Sequence, residues 1–180
     1  GATVYLADLH IHSRFSRATS REGDLPHLDF WARRKGLALL GTGDFTHPAW
    51  REELKEKLVP AESGLYRLRD EYVLEEAKML PGGAPRFVIT GEISSIYKKN
   101  GKCRKVHNVL LLSGLEEADK IAGRLEKIGN IHSDGRPVLK EVGGQFYLSG
   151  NFTGKLCRWN AGSGTYLDSP LRAFWCRIRV

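Results

Sequence analysis

The chain has 180 residues, 41% of them hydrophobic and 27% charged, which is ordinary globular usage and excludes wholesale disorder and collagen-like repeats. This length suits one domain, and no apolar run approaches the roughly 20 residues of a membrane span. A formal net charge of +7 favours an anionic partner without identifying one.

In chain order, Val4 to Ile11 reads as a strand. Asp24-Leu25-Pro26 signals a helix start, with Asp24 as N-cap and Leu28, Trp31 and Ala32 at helical spacing. Leu37 to Gly41 is a short apolar run that predicts a buried strand. Pro48 to Leu58 and Asp70 to Leu80 predict helices, Arg86 to Ile93 and Lys105 to Leu112 strands. Leu115 to Ile128 is an amphipathic helix, with Leu115, Ala118, Ala122, Leu125 and Ile128 on one side. Strands alternating with helices predict an α/β fold with parallel strands.

The opening Gly1-Ala2-Thr3-Val4 lacks the basic segment of a secretory signal. Cys103, Cys157 and Cys176 are odd in number and at unrelated spacings, so neither a disulfide framework nor a cysteine zinc site is indicated. A reducing cytoplasm is the expected location, and no membrane partner is expected.

Four clusters could carry chemistry. In Asp8-Leu9-His10-Ile11-His12-Ser13, strand alternation puts Asp8, His10 and His12 on one face. Two imidazoles and a carboxylate on one face suit a divalent cation such as Zn²⁺ or Mn²⁺, against the plainer reading of a polar strand face. Gly41-Thr42-Gly43-Asp44-Phe45-Thr46-His47 follows the buried run, so Asp44 would sit just beyond the carboxyl end of a strand, where α/β folds place their sites. Thr46 or Asp44 as a helix cap is the competing reading, and His47 is divided evenly between the two. Between Glu92 and His107, Asn100-Gly101 signals a two-residue hairpin turn. That turn sets Ser94 opposite His107 and makes Glu92 a diagonal neighbour of His107 on the same face. The hairpin tip carries Lys98, Lys99, Lys102, Arg104 and Lys105, either simply solvated or suited to gripping a phosphate backbone. Finally, His132-Ser133-Asp134-Gly135-Arg136-Pro137 reads as a turn, with Arg136 able to donate twice to a phosphate.

Taken together, these strings resemble the PHP (polymerase and histidinol phosphatase) superfamily. The longer ones, Ala7 to Ser20, Gly41 to Pro48, Lys105 to Asn108 and His132 to Pro137, are similar to those of its endonuclease Q members. The resemblance covers about residues 3 to 140 and implies the N-terminal portion of a distorted (β/α)₇ barrel, incomplete in this chain. It implies a metal-dependent phosphoester hydrolase, most like a DNA endonuclease that nicks 5′ of deaminated bases such as uracil and hypoxanthine. The implied cofactors are divalent ions (Zn²⁺, Mn²⁺ or Mg²⁺), held by His10, His12, Glu92 and His107, with Asp8 and Asp44 at or next to the metals. The implied partner is DNA, gripped by Lys98, Lys99, Lys102, Arg104, Lys105 and Arg136. A phosphatase acting on a small phosphomonoester, or an inert fragment, are the alternatives. Many members carry a His or Asp near Arg17 or Ala18; this chain does not, so one metal site is expected to be altered.

Residues 1–140 are thus expected to be the N-terminal part of the PHP domain, and residues 141–180 stand apart. They hold six of the glycines, two acidic residues and no histidine, whereas the superfamily takes further ligands from a later His and an Asp-x-His. The codons of Ser163 to Pro170, shifted forward by one nucleotide, are compatible with Pro-Ala-His-Ile-Trp-Thr-Pro, a string that endonuclease Q members carry at about this distance. The expectation is a frame-shifted, truncated tail that packs poorly and leaves little nuclease activity.

Overall fold

The computed structural model describes residues 4–127, 131–132 and 134–140 and the backbone of Ala173–Ile178. It is a mixed α/β structure. Strand β1 (Ala7–Asp8) pairs in parallel with β2 (Leu39–Gly41), and β2 pairs in parallel with the start of β5 (Arg86–Lys99), from Leu39↔Arg86 to Gly41↔Val88. Between them come α1 (Leu25–Lys35) and α2 (Pro48–Lys57), then an antiparallel pair, β3 (Leu58–Pro60) and β4 (Tyr66–Leu68). Beyond Val88, β5 changes partners. It forms a long antiparallel ladder with β6 (Lys102–Leu112), from Ile89↔Leu112 to Lys99↔Lys102, and a short parallel one with β7 (Val138–Lys140). Helix α4 (Leu115–Leu125) follows β6.

The predicted helix starts are built as their residues dictate. The Asp24 side chain accepts from the His27 N–H at 3.0 Å, Pro26 lies in the first turn, and Arg33, Arg34 and Lys35 meet the negative end of the α1 dipole. Pro48 opens α2, where its missing N–H costs nothing. The apolar faces of the helices and the inner face of the sheet meet around Leu25, Phe45, Trp50, Leu54, Phe87, Ile89, Leu110, Ala122 and Leu125, all at most 1% exposed. Each large side chain fully buried this way contributes roughly 2–3 kcal/mol.

Four expectations need correction. Only Ala7–Asp8 of the predicted strand Val4 to Ile11 is laddered, because β2 offers only Leu39 and Leu40 as its partners; His10 and His12 lie on the chain leaving the strand. The predicted helix Asp70 to Leu80 is broken into a 3₁₀ turn (Asp70–Tyr72) and α3 (Glu75–Lys78), since Val73 and Leu74 are extended, with ψ of 123° and 142°. The expected parallel pairing is present in β1–β2, β2–β5 and β5–β7, and the β5–β6 hairpin is the one Asn100-Gly101 predicts, but the antiparallel pair β3–β4, a hairpin that needs no crossover, was not expected. Helix α4 ends at Leu125, and Ile128 lies outside the described residues, as does Ser133.

Of the segment that composition sets apart, Ala173–Ile178 forms β8. It runs antiparallel along β6, from His107↔Ile178 to Leu112↔Ala173. The rest of residues 141–180, including Cys157 and the Ser163 to Pro170 string, lies outside the described residues. Among the described residues no helix is long and apolar enough to cross a membrane.

Candidate metal centre

The chain leaves β1 and turns over the carboxyl end of β2, carrying His10 and His12 toward the middle of β5. The backbones must pass very close there. A Cβ on Gly43 would lie 2.4 Å from the Ile11 carbonyl oxygen, and Gly43 itself has φ +65°. Trp50 holds this turn from below, its indole N–H donating to the Gly43 carbonyl at 2.9 Å.

At the centre is Glu92, only 2% exposed. His10 Nε2 lies 2.8 Å and His12 Nε2 3.2 Å from the same carboxylate oxygen, Oε2. His107 reaches the other oxygen, Oε1, through Nδ1, and the Ser94 hydroxyl donates to that oxygen at 3.1 Å. The hairpin register accounts for this. Ser94 pairs with His107 and Glu92 with Val109 across the Asn100-Gly101 turn, both of whose residues have positive φ, so Glu92 and His107 are diagonal neighbours on one face.

Asp44 is fully buried, with φ 49°, and serves as a second hub. Its Oδ2 accepts from the Ser13 N–H (2.6 Å), the Ser13 hydroxyl (2.7 Å) and the Ser16 hydroxyl (2.9 Å), while Oδ1 faces His12 Nδ1 at 3.0 Å. His12 therefore bridges two carboxylates. Burial pushes its pKa down, but hydrogen bonds to Asp44 and Glu92 and the Asp44 charge outweigh that and raise it from 6.5 to about 9, with Arg136 opposing. Burial likewise works to raise Glu92. Its contacts with His12, His10, His107 and Ser94 prevail and hold the carboxyl far below the usual range.

His10, His12 and Glu92 could hold a metal ion: one ligand atom from each lies within 4.8 Å of the others. Two nitrogens and one carboxylate oxygen, with His10 37% exposed on the open side, fit a divalent cation that needs a face accessible to substrate. Asp44 supplies the second-layer contact such a site requires, because a carboxylate on Nδ1 fixes which nitrogen of His12 is left for the ion.

The other expected residues are placed as follows. Asp8 is half-buried and accepts from the His10 N–H at 3.3 Å, so it shapes the turn rather than joining the three convergent ligands. His47 stacks on Phe15 at 4.5 Å between centroids, and its Nδ1 is the one buried side-chain polar atom among the described residues without a hydrogen-bond partner. Burial holds its pKa low. It caps α2 through its backbone only. Lys99, Lys102, Arg104 and Lys105 are exposed along the hairpin, and Lys98 pairs through its backbone with Cys103. Arg136 is half-buried in the loop before β7. Ser13 and Ser16 are contributors that sequence reasoning missed. Ser13 directly follows the His-x-His string, which was a usable signal; Ser16 had none.

No family model matches this chain. An uncharacterised protein of Methanocaldococcus jannaschii is 30% identical over 149 residues, 76% of this chain but 15% of that protein. The crystal structure of the lesion-specific endonuclease PfuEndoQ from Pyrococcus furiosus is similar at a TM-score of 0.58 and 29% identity, over 74% of this chain and 28% of that one. A structure of endonuclease Q with a 27-mer duplex substrate, bearing an abasic lesion at its active site, is similar at a TM-score of 0.58 and 28% identity, over 76% of this chain and 29% of that one. The chain thus spans less than a third of each of these proteins.

Proposed function

We propose that this chain carries the N-terminal part of a PHP-type barrel and the core of its metal centre, in a divalent-metal-dependent endonuclease that nicks DNA 5′ of deaminated bases such as uracil or hypoxanthine. The observation that carries this reading is the meeting of His10, His12 and His107 on the buried Glu92. The likeness to solved endonuclease Q structures, one of them with duplex DNA, supports DNA as the substrate.

His10, His12, Glu92 and His107 would hold the ion, and their nitrogen-rich set favours Zn²⁺ or Mn²⁺ over Mg²⁺. A bound divalent cation supplies Lewis-acid polarisation of a phosphate and an activated water, which the reaction needs because a phosphodiester is already anionic and repels hydroxide. The chain's own residues do the rest. Glu92 is kept ionised by its imidazole partners, Asp44 orients His12, and Ser94 orients Glu92. Lys98, Lys99, Lys102 and Arg104 on the hairpin neutralise backbone phosphates. Residues 141–180 contain no histidine, so none of them supplies the later imidazole ligand that the superfamily resemblance implies, and slow turnover is expected of these 180 residues assayed by themselves.

The test is incubation of the purified chain with end-labelled duplexes containing one uracil or hypoxanthine, with Mn²⁺ or Zn²⁺. Slow appearance of a product nicked 5′ of the lesion, abolished by chelator and by Glu92→Ala, is the expected result. Release of inorganic phosphate from small phosphomonoesters, without nicking, would transfer the assignment to a phosphatase.

A further inference from the structure

Three segments of the metal centre meet at the loop before β7. The Gly135 N–H donates to the Phe15 carbonyl at 3.0 Å, in the turn that carries Ser13 and Ser16. The Gly135 carbonyl accepts from the Thr46 hydroxyl at 3.3 Å, two residues beyond Asp44. The Pro137 carbonyl accepts from the Ser94 N–H at 3.0 Å, and the ladder of β5 with β7 starts there, at Ser94↔Val138. Residues 135–137 thus fasten the segment after His12, the turn after β2 and the strand bearing Glu92 to one another. Gly135, Pro137 and Thr46 are all buried.

The Asp134-Gly135 turn does not need glycine for the usual reason. Gly135 has a φ outside the left-handed region, and Asp134 Oδ1 already closes the turn by accepting from the Arg136 backbone N–H at 3.1 Å. What excludes a side chain is Asp44. A Cβ on Gly135 would lie 2.5 Å from Asp44 Oδ2 and 2.6 Å from Ser16 Oγ, far inside van der Waals contact. Neither neighbour can yield cheaply. Asp44 Oδ2 accepts from the Ser13 N–H and from the Ser13 and Ser16 hydroxyls, while Oδ1 faces His12 Nδ1. Swinging the carboxylate aside would strip hydrogen bonds from a buried charge.

We propose that Gly135 is a positioning residue of the metal centre: having no side chain, it packs directly against Asp44 Oδ2 and holds that carboxylate where Oδ1 meets His12. The proposal rests on the metal-centre reading above and deepens it. The effect passes from Gly135 to Asp44, from Asp44 to His12 Nδ1, and so to the ring nitrogen left for the ion. A larger residue at 135 would displace Asp44 or lift residues 135–137 off Phe15 and Thr46. Either way His12 is loosened although no ligand has been touched.

The probe is Co²⁺, whose visible absorption reports coordination geometry as well as binding. The parent chain, Gly135→Ala and Leu125→Ala would be titrated with Co²⁺ at a temperature where circular dichroism shows each to be folded. Leu125→Ala opens a cavity at the buried end of α4 and measures the effect of lost stability alone. The expected result is that Gly135→Ala weakens Co²⁺ binding about 10- to 100-fold and alters the absorption bands. Leu125→Ala should lower the melting temperature and bind Co²⁺ as the parent does. Parent-like affinity and spectrum in Gly135→Ala would overturn the proposal and leave the metal centre standing. Equal weakening in both variants would also overturn it, making Gly135 an ordinary packing residue. If Gly135→Ala does not fold, Thr46 decides. Thr46→Val removes the hydroxyl that holds the Gly135 carbonyl and should weaken Co²⁺ binding, whereas Thr46→Ser keeps that hydroxyl and should not. No difference between these two would overturn the proposal. A parent chain that binds no Co²⁺ would overturn the metal-centre reading and the proposal together.

Discussion

His12 has carboxylates on both ring nitrogens, and this sets the pH behaviour of the centre. In the metal-free protein it keeps its proton up to about pH 9, so metal uptake below that pH must expel a proton from Nε2. Metal affinity should therefore rise about tenfold per pH unit between pH 6 and 8, with proton release measurable by calorimetry in buffers of different ionisation enthalpy; a flat profile would remove His12 from the ligand set. The same shift makes a stability statement of known sign. A histidine raised from 6.5 to about 9 contributes stability that is full below pH 6.5 and is lost as pH climbs through 9, so the melting temperature of the metal-free protein should fall across that range. Glu92 has the opposite sign: its contribution is present above the usual carboxyl pKa and is lost on acidification. Asp44→Asn should keep the fold, because its amide oxygen can still accept from Ser13. Its NH₂ would then face His12 Nδ1, forcing the proton onto Nε2, and metal affinity measured by titration should drop about 10- to 100-fold. Unchanged affinity would reduce Asp44 to a turn residue.

At the scale of elements, the hairpin was the most legible part of the sequence. Asn100-Gly101 flanked by β-prone runs defines the turn, the turn defines the register, and the register brings Glu92 and His107 together. The His-x-His segment reached its destination by a different local route. Period-two alternation placed His10 and His12 on one face, yet the ladder stops at Asp8, and both rings arrive at Glu92 because the chain bends over Gly43. Strands β3 and β4 escaped notice because three residues are too few to show alternation, although Pro60 and Gly64 do bracket a turn. The break in the helix expected over Asp70 to Leu80 was equally hidden, since nothing between Tyr72 and Glu75 is a helix breaker. Close contact between elements gives a further prediction. A Cβ on Gly91 would lie 2.5 Å from Phe45 Cδ1, on a ring that is fully buried. Gly91→Ala should cost about 1–3 kcal/mol in denaturant unfolding and also weaken metal binding, because it shifts the strand next to Glu92. A variant as stable as the parent would show that the ring has room to move.

For the whole molecule, the candidate chemistry lies where the sheet changes character. β5 begins as a central strand against β2 and β4 and continues as a ribbon against β6 and β7, and Glu92 sits just beyond the changeover. The buried half anchors the ligand, while the exposed half extends the basic tip. The tip should therefore act on DNA without touching the metal. Replacing Lys98 and Lys99 with Gln should flatten the salt dependence of DNA binding by about two charges and leave metal content intact, as read by anisotropy and elemental analysis. A fall in metal content would mean that the ribbon and the centre are not separable. Coupling the tip and the ligands through one paired ribbon also restricts how such a hairpin can change length over time. One extra residue on a single strand would either bulge out or move His107 to the opposite face from Glu92. A matched pair, one residue on each strand, lengthens the reach by about 3.3 Å and leaves every ligand in place. Insertions and deletions in this hairpin should thus survive selection in twos.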